Sequence, residues 1–189
     1  MMRKLLKIHR RFMASTRGVA AVEFAMIMPV MAVLFLATFD GGRALAIYMK
    51  MRSATYALAA ITNQYDTIQS TDMTSIVAAA SAIFAPYATT SSNPVVTITQ
   101  IAVSNSGAAT VSWSYSQGGT AHTKGGAITI PTALQIKNTY LIFAEVSYVF
   151  TPMFGYFTTV PITFSDNLYV TPRISNCVNY PPASVTSCN

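Results

Sequence analysis

The sequence predicts an α+β protein. A long N-terminal membrane-spanning helix is extended by an amphipathic helix, and a small antiparallel sheet of about four strands packs on helix. Three observations predict this. Val19 to Phe39 is 21 residues long with one formal charge, Glu23. At ~1.5 Å per residue that run measures about 31 Å, close to the ~30 Å hydrocarbon core of a bilayer. Next, Ala44, Ile47, Met51, Ala54, Leu58 and Ile61 recur at spacings of 3 and 4, the signature of one apolar helix face. Finally, β-branched and aromatic residues alternate with polar ones beyond residue 94, as strands require.

Four segments follow. Residues 1–18 read as a short basic leader ending in glycine, or as a cytoplasmic stub that is never removed. Residues 19–63 carry the spanning and amphipathic helix. Pro29 lies well inside it and removes one backbone hydrogen bond, so a kink or loosening is expected there. Asp40-Gly41-Gly42-Arg43 marks the exit to water and a candidate hinge. The stripe from Ala44 to Ile61 has two readings: a helix packed on its own domain, or an assembly face for other subunits. An ordinary secretory signal cut at Ala44-Leu45-Ala46 fits less well. The apolar run exceeds the usual 7–15 residues, and Glu23, Asp40 and Arg43 intrude.

Residues 64–94 read as helix and linker, with Asp72 placed to cap a helix from Met73 to Phe84 that Pro86 ends. Residues 95–189 form a β-rich domain, periplasmic or extracellular. Val95–Val103 and Ala109–Ser116 flank the turn Asn105-Ser106-Gly107 as a hairpin, with Val111, Trp113 and Tyr115 on one face. Gln117–Gly126 is a Gly/Thr loop. Tyr140–Phe150 and Val160–Val170 are two further strands.

The net charge of +6 is a property of the first 18 residues. Arg3, Lys4, Lys7, Arg10, Arg11 and Arg17 all precede Val19, and no acid does. Beyond Val19, six basic and six acidic residues cancel. Nucleic-acid binding needs clustered Lys/Arg on the folded part, so no nucleic-acid partner is expected. A basic block just before a spanning helix places the N-terminus in the cytoplasm, the lipid bilayer around the helix and the remainder outside.

Cys177 and Cys188 are the two cysteines. In an oxidising compartment they can close a small C-terminal loop; the other reading is two unpaired thiols in a tail. Two thiols without a nearby histidine fall short of a zinc site, so no metal is expected. His122 sits in the Gly/Thr loop, and no Gly-x-Ser-x-Gly elbow accompanies it. No phosphate-binding glycine motif occurs. Neither a catalytic residue nor a cofactor is expected, and the chain does not read as an enzyme.

Glu23 is the residue that needs explaining. A carboxylate inside a spanning segment costs roughly 2.5–3.5 kcal/mol or more and calls for a partner. The stretch Arg17-Gly18-Val19-Ala20-Ala21-Val22-Glu23-Phe24 resembles the processing site of type IV prepilins and pseudopilins. With Ala25, Pro29 and Val30 it resembles more narrowly the TadE/TadG family of the tight-adherence (Flp pilus) system. Phe39-Asp40-Gly41-Gly42-Arg43-Ala44 is similar to that family's Phe-Gly-Arg-Ala region, with Asp-Gly in place of Glu-Phe. Val146 to Gly155 and Phe164 to Arg173 resemble its Tyr-x-Phe/Tyr-x-Pro-Leu-Phe-Gly and Tyr-Met-x-Pro-Arg segments.

The resemblance implies a prepilin peptidase cutting between Gly18 and Val19, and an assembly or alignment role for Glu23 with Phe24. It implies partners among other pilins and pseudopilins and the inner-membrane assembly platform. It also implies a single-pass bacterial inner-membrane protein that can enter the extracellular pilus. The residues agree with it independently. Gly18 offers a peptidase no obstruction, and cleavage leaves an ammonium on Val19 one helical turn from Glu23, where the two charges offset each other's burial. The other reading of Glu23 is a carboxylate that snorkels to the headgroups. The expected function is therefore a minor pilin or pseudopilin for pilus assembly and surface adhesion, since major pilins of such systems resemble much shorter chains. The alternative is an uncleaved membrane-anchored scaffold that binds a partner through its β domain.

Overall fold

The computed structural model describes residues 17–87, 89–90, 92–154 and 160–181. Residues 1–16 of the expected leader and Cys188 lie outside the described residues.

Helix α1 (Arg17–Thr62) runs for 46 residues without interruption, with Pro29 inside it. The amphipathic stretch is thus the same helix as the apolar run. Asp40-Gly41-Gly42-Arg43, the candidate hinge, is helical throughout. A glycine in a helix costs roughly 1 kcal/mol relative to alanine, but good helix formers lie on either side. An Arg43–Asp40 ion pair at 3.6 Å also brackets the two glycines at i,i+3 spacing.

The described residues group into two compact units, 17–43 with 152–154, and 44–151 with 160–181. In the first, the side chains of α1 from Val19 to Phe39 are mostly exposed: Phe24 is 69% and Met26 75% accessible. A helix that is apolar on every side and buried against nothing is what a lipid solvent selects.

In the second unit the stripe on α1 is core. Ile47, Met51, Ala54 and Leu58 are each 1% exposed or less, and Ala44 and Ile61 pack at its margins. This face is therefore spent on its own domain and does not await another subunit. Helix α2 (Ser70–Ala82) adds Met73, Ile76, Val77 and Ala80 to the same core. Asp72 does cap α2, but from inside it. The helix starts at Ser70, and Asp72 at its third position accepts the N–H of Gln69 at 3.1 Å in a reciprocal capping box. At the other end of α2, Lys50 Nζ donates to the carbonyls of Ile83 and Ala85 at 3.0 and 2.8 Å. A cation there answers both the unpaired carbonyls and the helix dipole.

Strands β1 (Val95–Val103), β2 (Ala109–Gln117), β3 (Thr139–Phe150) and β4 (Ile162–Val170) form one antiparallel sheet in the order β2-β1-β3-β4. The four expected strands are present, with ends shifted by two residues at most. One face of the sheet, including Val96, Ile98, Ile142, Ala144, Val146 and Tyr148, closes the core on α1 and α2. The stacked rings of Phe84 and Tyr148, 5.1 Å apart, join the end of α2 to β3.

The opposite face has its own smaller core of Ile101, Val103, Ala109, Ile130, Leu141 and Phe143. Residues 127–136, with a 3-10 turn at Thr132–Leu134, lie against it through Ile128, Ile130 and Leu134. This explains the near-continuous burial of β1, which is covered on both faces. A register shift divides the expected apolar face of β2. Gln100 pairs with Trp113 but Ile101 pairs with Val111, which leaves Ser112 as an extra residue. Trp113 and Tyr115 join the helix-side core, whereas Val111 stands opposite a residue of the other.

Candidate functional site

The first turns of α1 carry the residues that the sequence marks for processing and alignment. Gly18 and Val19 are helical and exposed, and a Cβ added at Gly18 would meet nothing within 4 Å. Glu23 and Phe24 follow one turn later and are also exposed. Among the described residues Glu23 has no hydrogen bond or ion pair. Its carboxylate faces outward from an apolar cylinder with no counter-charge beside it among the described residues. Pro29 withdraws the N–H that the Ala25 carbonyl would otherwise accept, and the helix continues through it.

At the far end of the apolar run, the sequence reading missed a cluster. Asp40 Oδ1 accepts the N–H of Met153 at 3.2 Å, and Oδ2 accepts the N–H of Phe154 at 3.1 Å. Arg43 Nη1 lies 3.6 Å from Oδ1. The rings of Phe39 and Phe154 meet edge to face at 5.9 Å. A carboxylate that accepts two backbone N–H groups and faces a guanidinium is well satisfied even where water is scarce. Its signal in the sequence is a lone acid ending an apolar run with an arginine three residues on. Its loop partner is 113 residues away, inside the Val146 to Gly155 segment likened to the family, and no local signal links the two.

A third cluster ties down the segment after β4. Gln100 Oε1 accepts the Val178 N–H at 2.6 Å, and Trp113 Nε1 donates to the Val178 carbonyl at 2.7 Å. On either side of Val178, Asn179 exchanges backbone bonds with Asp66 and Ile68 at 2.9 Å, and Arg173 N–H reaches the Asn63 carbonyl at 3.0 Å. Cys177 is 2% exposed and disulfide-bonded; Cys188, with which the sequence pairs it, lies outside the described residues.

His122 is not a bare loop residue. Its Nε2 lies 2.7 Å from Glu145 Oε2, at a cavity of about 320 Å³ that Thr97, Ser147, Ser165 and Asp166 also line. Ser114 Oγ accepts the backbone N–H of His122 at 3.1 Å and bonds Thr99 Oγ1 at 2.8 Å. The serine thus meets the main chain of His122 and not its imidazole, so the nucleophile–base bond of acyl transfer is not formed here. The pair straps the 118–126 loop to the sheet. No group of three or more His, Cys, Asp or Glu that could hold a metal occurs among the described residues.

Residues 18–60 match the family model described as TadE-like protein. The match begins at Gly18 and takes in Glu23, Pro29, Asp40, Arg43 and the buried stripe as far as Leu58. No curated protein matches the chain, and no solved structure does.

Proposed function

We propose that this chain, TadE-like over residues 18–60, is a minor pilin or pseudopilin of a tight-adherence type IV pilus. A prepilin peptidase cuts it after Gly18. The match starts at the residue where the expected mature chain is separated from its leader, and this coincidence carries the reading. One apolar helix fits a single-pass membrane anchor, hydropathic enough and long enough to cross a bilayer.

Cleavage removes all six leader charges and creates an ammonium on Val19. Glu23, which has no partner in its own described chain, then pairs with the terminal amine of its own or a neighbouring subunit and sets the axial register of assembly. The mature protein works with other pilins and with the inner-membrane assembly platform, and its β domain lies on the periplasmic side. Its work is assembly and surface adhesion and not turnover.

Intact mass of the membrane-extracted protein, from cells with and without an active prepilin peptidase, tests this. The expected mature chain starts at Val19 with peptidase and at Met1 without it. A chain that keeps residues 1–18 in both would overturn the pilin reading and leave a membrane-anchored scaffold.

A further inference from the structure

We propose that the turn at Met153-Phe154 is a second membrane contact, which sets its apolar side chains into the headgroup–acyl boundary of the bilayer that α1 crosses. The inference rests on α1 being a spanning helix and goes beyond it. An apolar run of ~31 Å fills the hydrocarbon core, so Asp40, the acid that ends the run, stands at the boundary. Its two carboxylate oxygens hold the N–H groups of Met153 and Phe154 at 3.2 and 3.1 Å. Those two residues therefore share the depth of Asp40 to within a few ångströms.

The chemistry of the turn suits that depth. Met153 is 64% exposed and Phe154 38%, and Phe154 sits edge-on to Phe39. Exposed apolar side chains of this size are costly in water and favoured at an interface, where aromatic rings concentrate. No charged residue lies between Glu145 and Asp166, so nothing in the connection opposes entry into the headgroup layer. Asp40 and Arg43 supply the polar counterpart at the same level. A partner protein would need a complementary apolar surface at that level; a spanning helix brings lipid there by itself.

The test uses the full chain reconstituted into vesicles of phosphatidylcholine and phosphatidylglycerol, with lipids brominated either near the headgroup or near the chain end. Met153→Trp is the probe. Val30→Trp marks the bilayer interior, and Ile174→Trp, at a position 67% exposed, is the comparison. The wild-type emission of Trp113 is subtracted. The expected result is quenching at 153, stronger with shallow than with deep bromines, together with a blue-shifted emission. Quenching at 30 should be strong with deep bromines, and that at 174 weak. Asp40→Ala should reduce quenching at 153 and leave that at 30 unchanged.

If 30 is quenched but 153 behaves like 174, the membrane contact is overturned while the spanning helix stands. If 30 is not quenched, the spanning reading falls and this inference falls with it. A blue shift at 153 that grows with the protein-to-lipid ratio, without quenching, would place another copy of the chain on the turn and overturn the lipid assignment. Phe154→Trp keeps an aromatic ring in place and gives the same readings should Met153→Trp fail to fold.

Discussion

Gln100 and Trp113 face each other across β1 and β2 and hold the same residue between them. One accepts the N–H of Val178 at 2.6 Å, and the other donates to its carbonyl at 2.7 Å. Val178 is fully buried, so its main-chain groups have no water to fall back on. A glutamine at 3% exposure and a tryptophan at 6% are otherwise poor choices for a sheet face that closes a core. They are there because the segment after β4 runs over that face as irregular backbone, and irregular backbone must find its hydrogen bonds in side chains.

Trp113→Phe keeps a ring and removes the donor. The Val178 carbonyl is then buried and unpaired, which costs about 1–3 kcal/mol. Gln100→Leu does the same to the Val178 N–H. Because both act on one residue, the double variant should lose less than the sum of the two. Urea denaturation of the full chain in detergent, followed by circular dichroism, measures all three. Strict additivity would mean that the two bonds do not serve one segment.

Leu58→Ala examines the claim that the stripe on α1 is core. Leu58 is fully buried among α1, α2 and the sheet, and its truncation should cost about 2–5 kcal/mol. The same substitution at Leu45, which is 60% exposed, should change stability by no more than about 0.5 kcal/mol. If both variants melt alike, the stripe is not where the stability resides.

Much of this fold is legible in the sequence because its signals are local. The 3-and-4 spacing of Ile47, Met51, Ala54 and Leu58 and the β-branched run of Val95–Val103 each report their own neighbourhood. What escapes is non-local. The Ser112 bulge depends on how β2 registers on β1, and one residue of slip moves Val111 away from the face of Trp113. The cover formed by residues 127–136 has no periodicity to reveal it. Asp40 reads as a helix exit, while its part in holding Met153 and Phe154 depends on the return of the chain after β3.

Tyr169 makes the stability of the sheet domain sensitive to alkali. Its phenol is pushed above the ordinary value of 10.0, first by burial against its neighbours and then by the Glu145 carboxylate. Its ring stacks on Phe143 at 4.3 Å. The folded chain therefore holds this proton more tightly than the unfolded chain does. That contribution is fully present below pH 10 and is lost as pH rises from there through the raised folded value. Tyr169→Phe should flatten the fall in stability above pH 10, and absorbance at 295 nm should lose a late-titrating component, with that of Tyr180 remaining. An unchanged alkaline limb would assign the effect to other groups.

Cys177 is expected to close a loop with Cys188. A bridge across so short a segment restricts the unfolded chain by about 2–3 kcal/mol. Cys177→Ser should alter mobility on non-reducing gels alone and lower the melting temperature by several degrees. It should also loosen the grip of Gln100 and Trp113 on the adjacent Val178. Identical migration of wild type and variant without reductant would remove the bridge from the account.

The processing and alignment roles separate cleanly by substitution. Gly18→Glu places a side chain where nothing lies within 4 Å, so the helix can accommodate it and only the peptidase should object. The expected product is an uncleaved precursor in the membrane; a mature mass starting at Val19 would refute the cleavage reading. Glu23→Ala takes a carboxylate out of an apolar surface and should, if anything, favour insertion. Processing and membrane retention should therefore persist while piliation falls. Glu23→Asp retains the charge on a shorter arm and should restore part of it, which a purely structural role would not produce. Normal pili from Glu23→Ala cells would mean that the carboxylate only snorkels to the headgroups and aligns nothing.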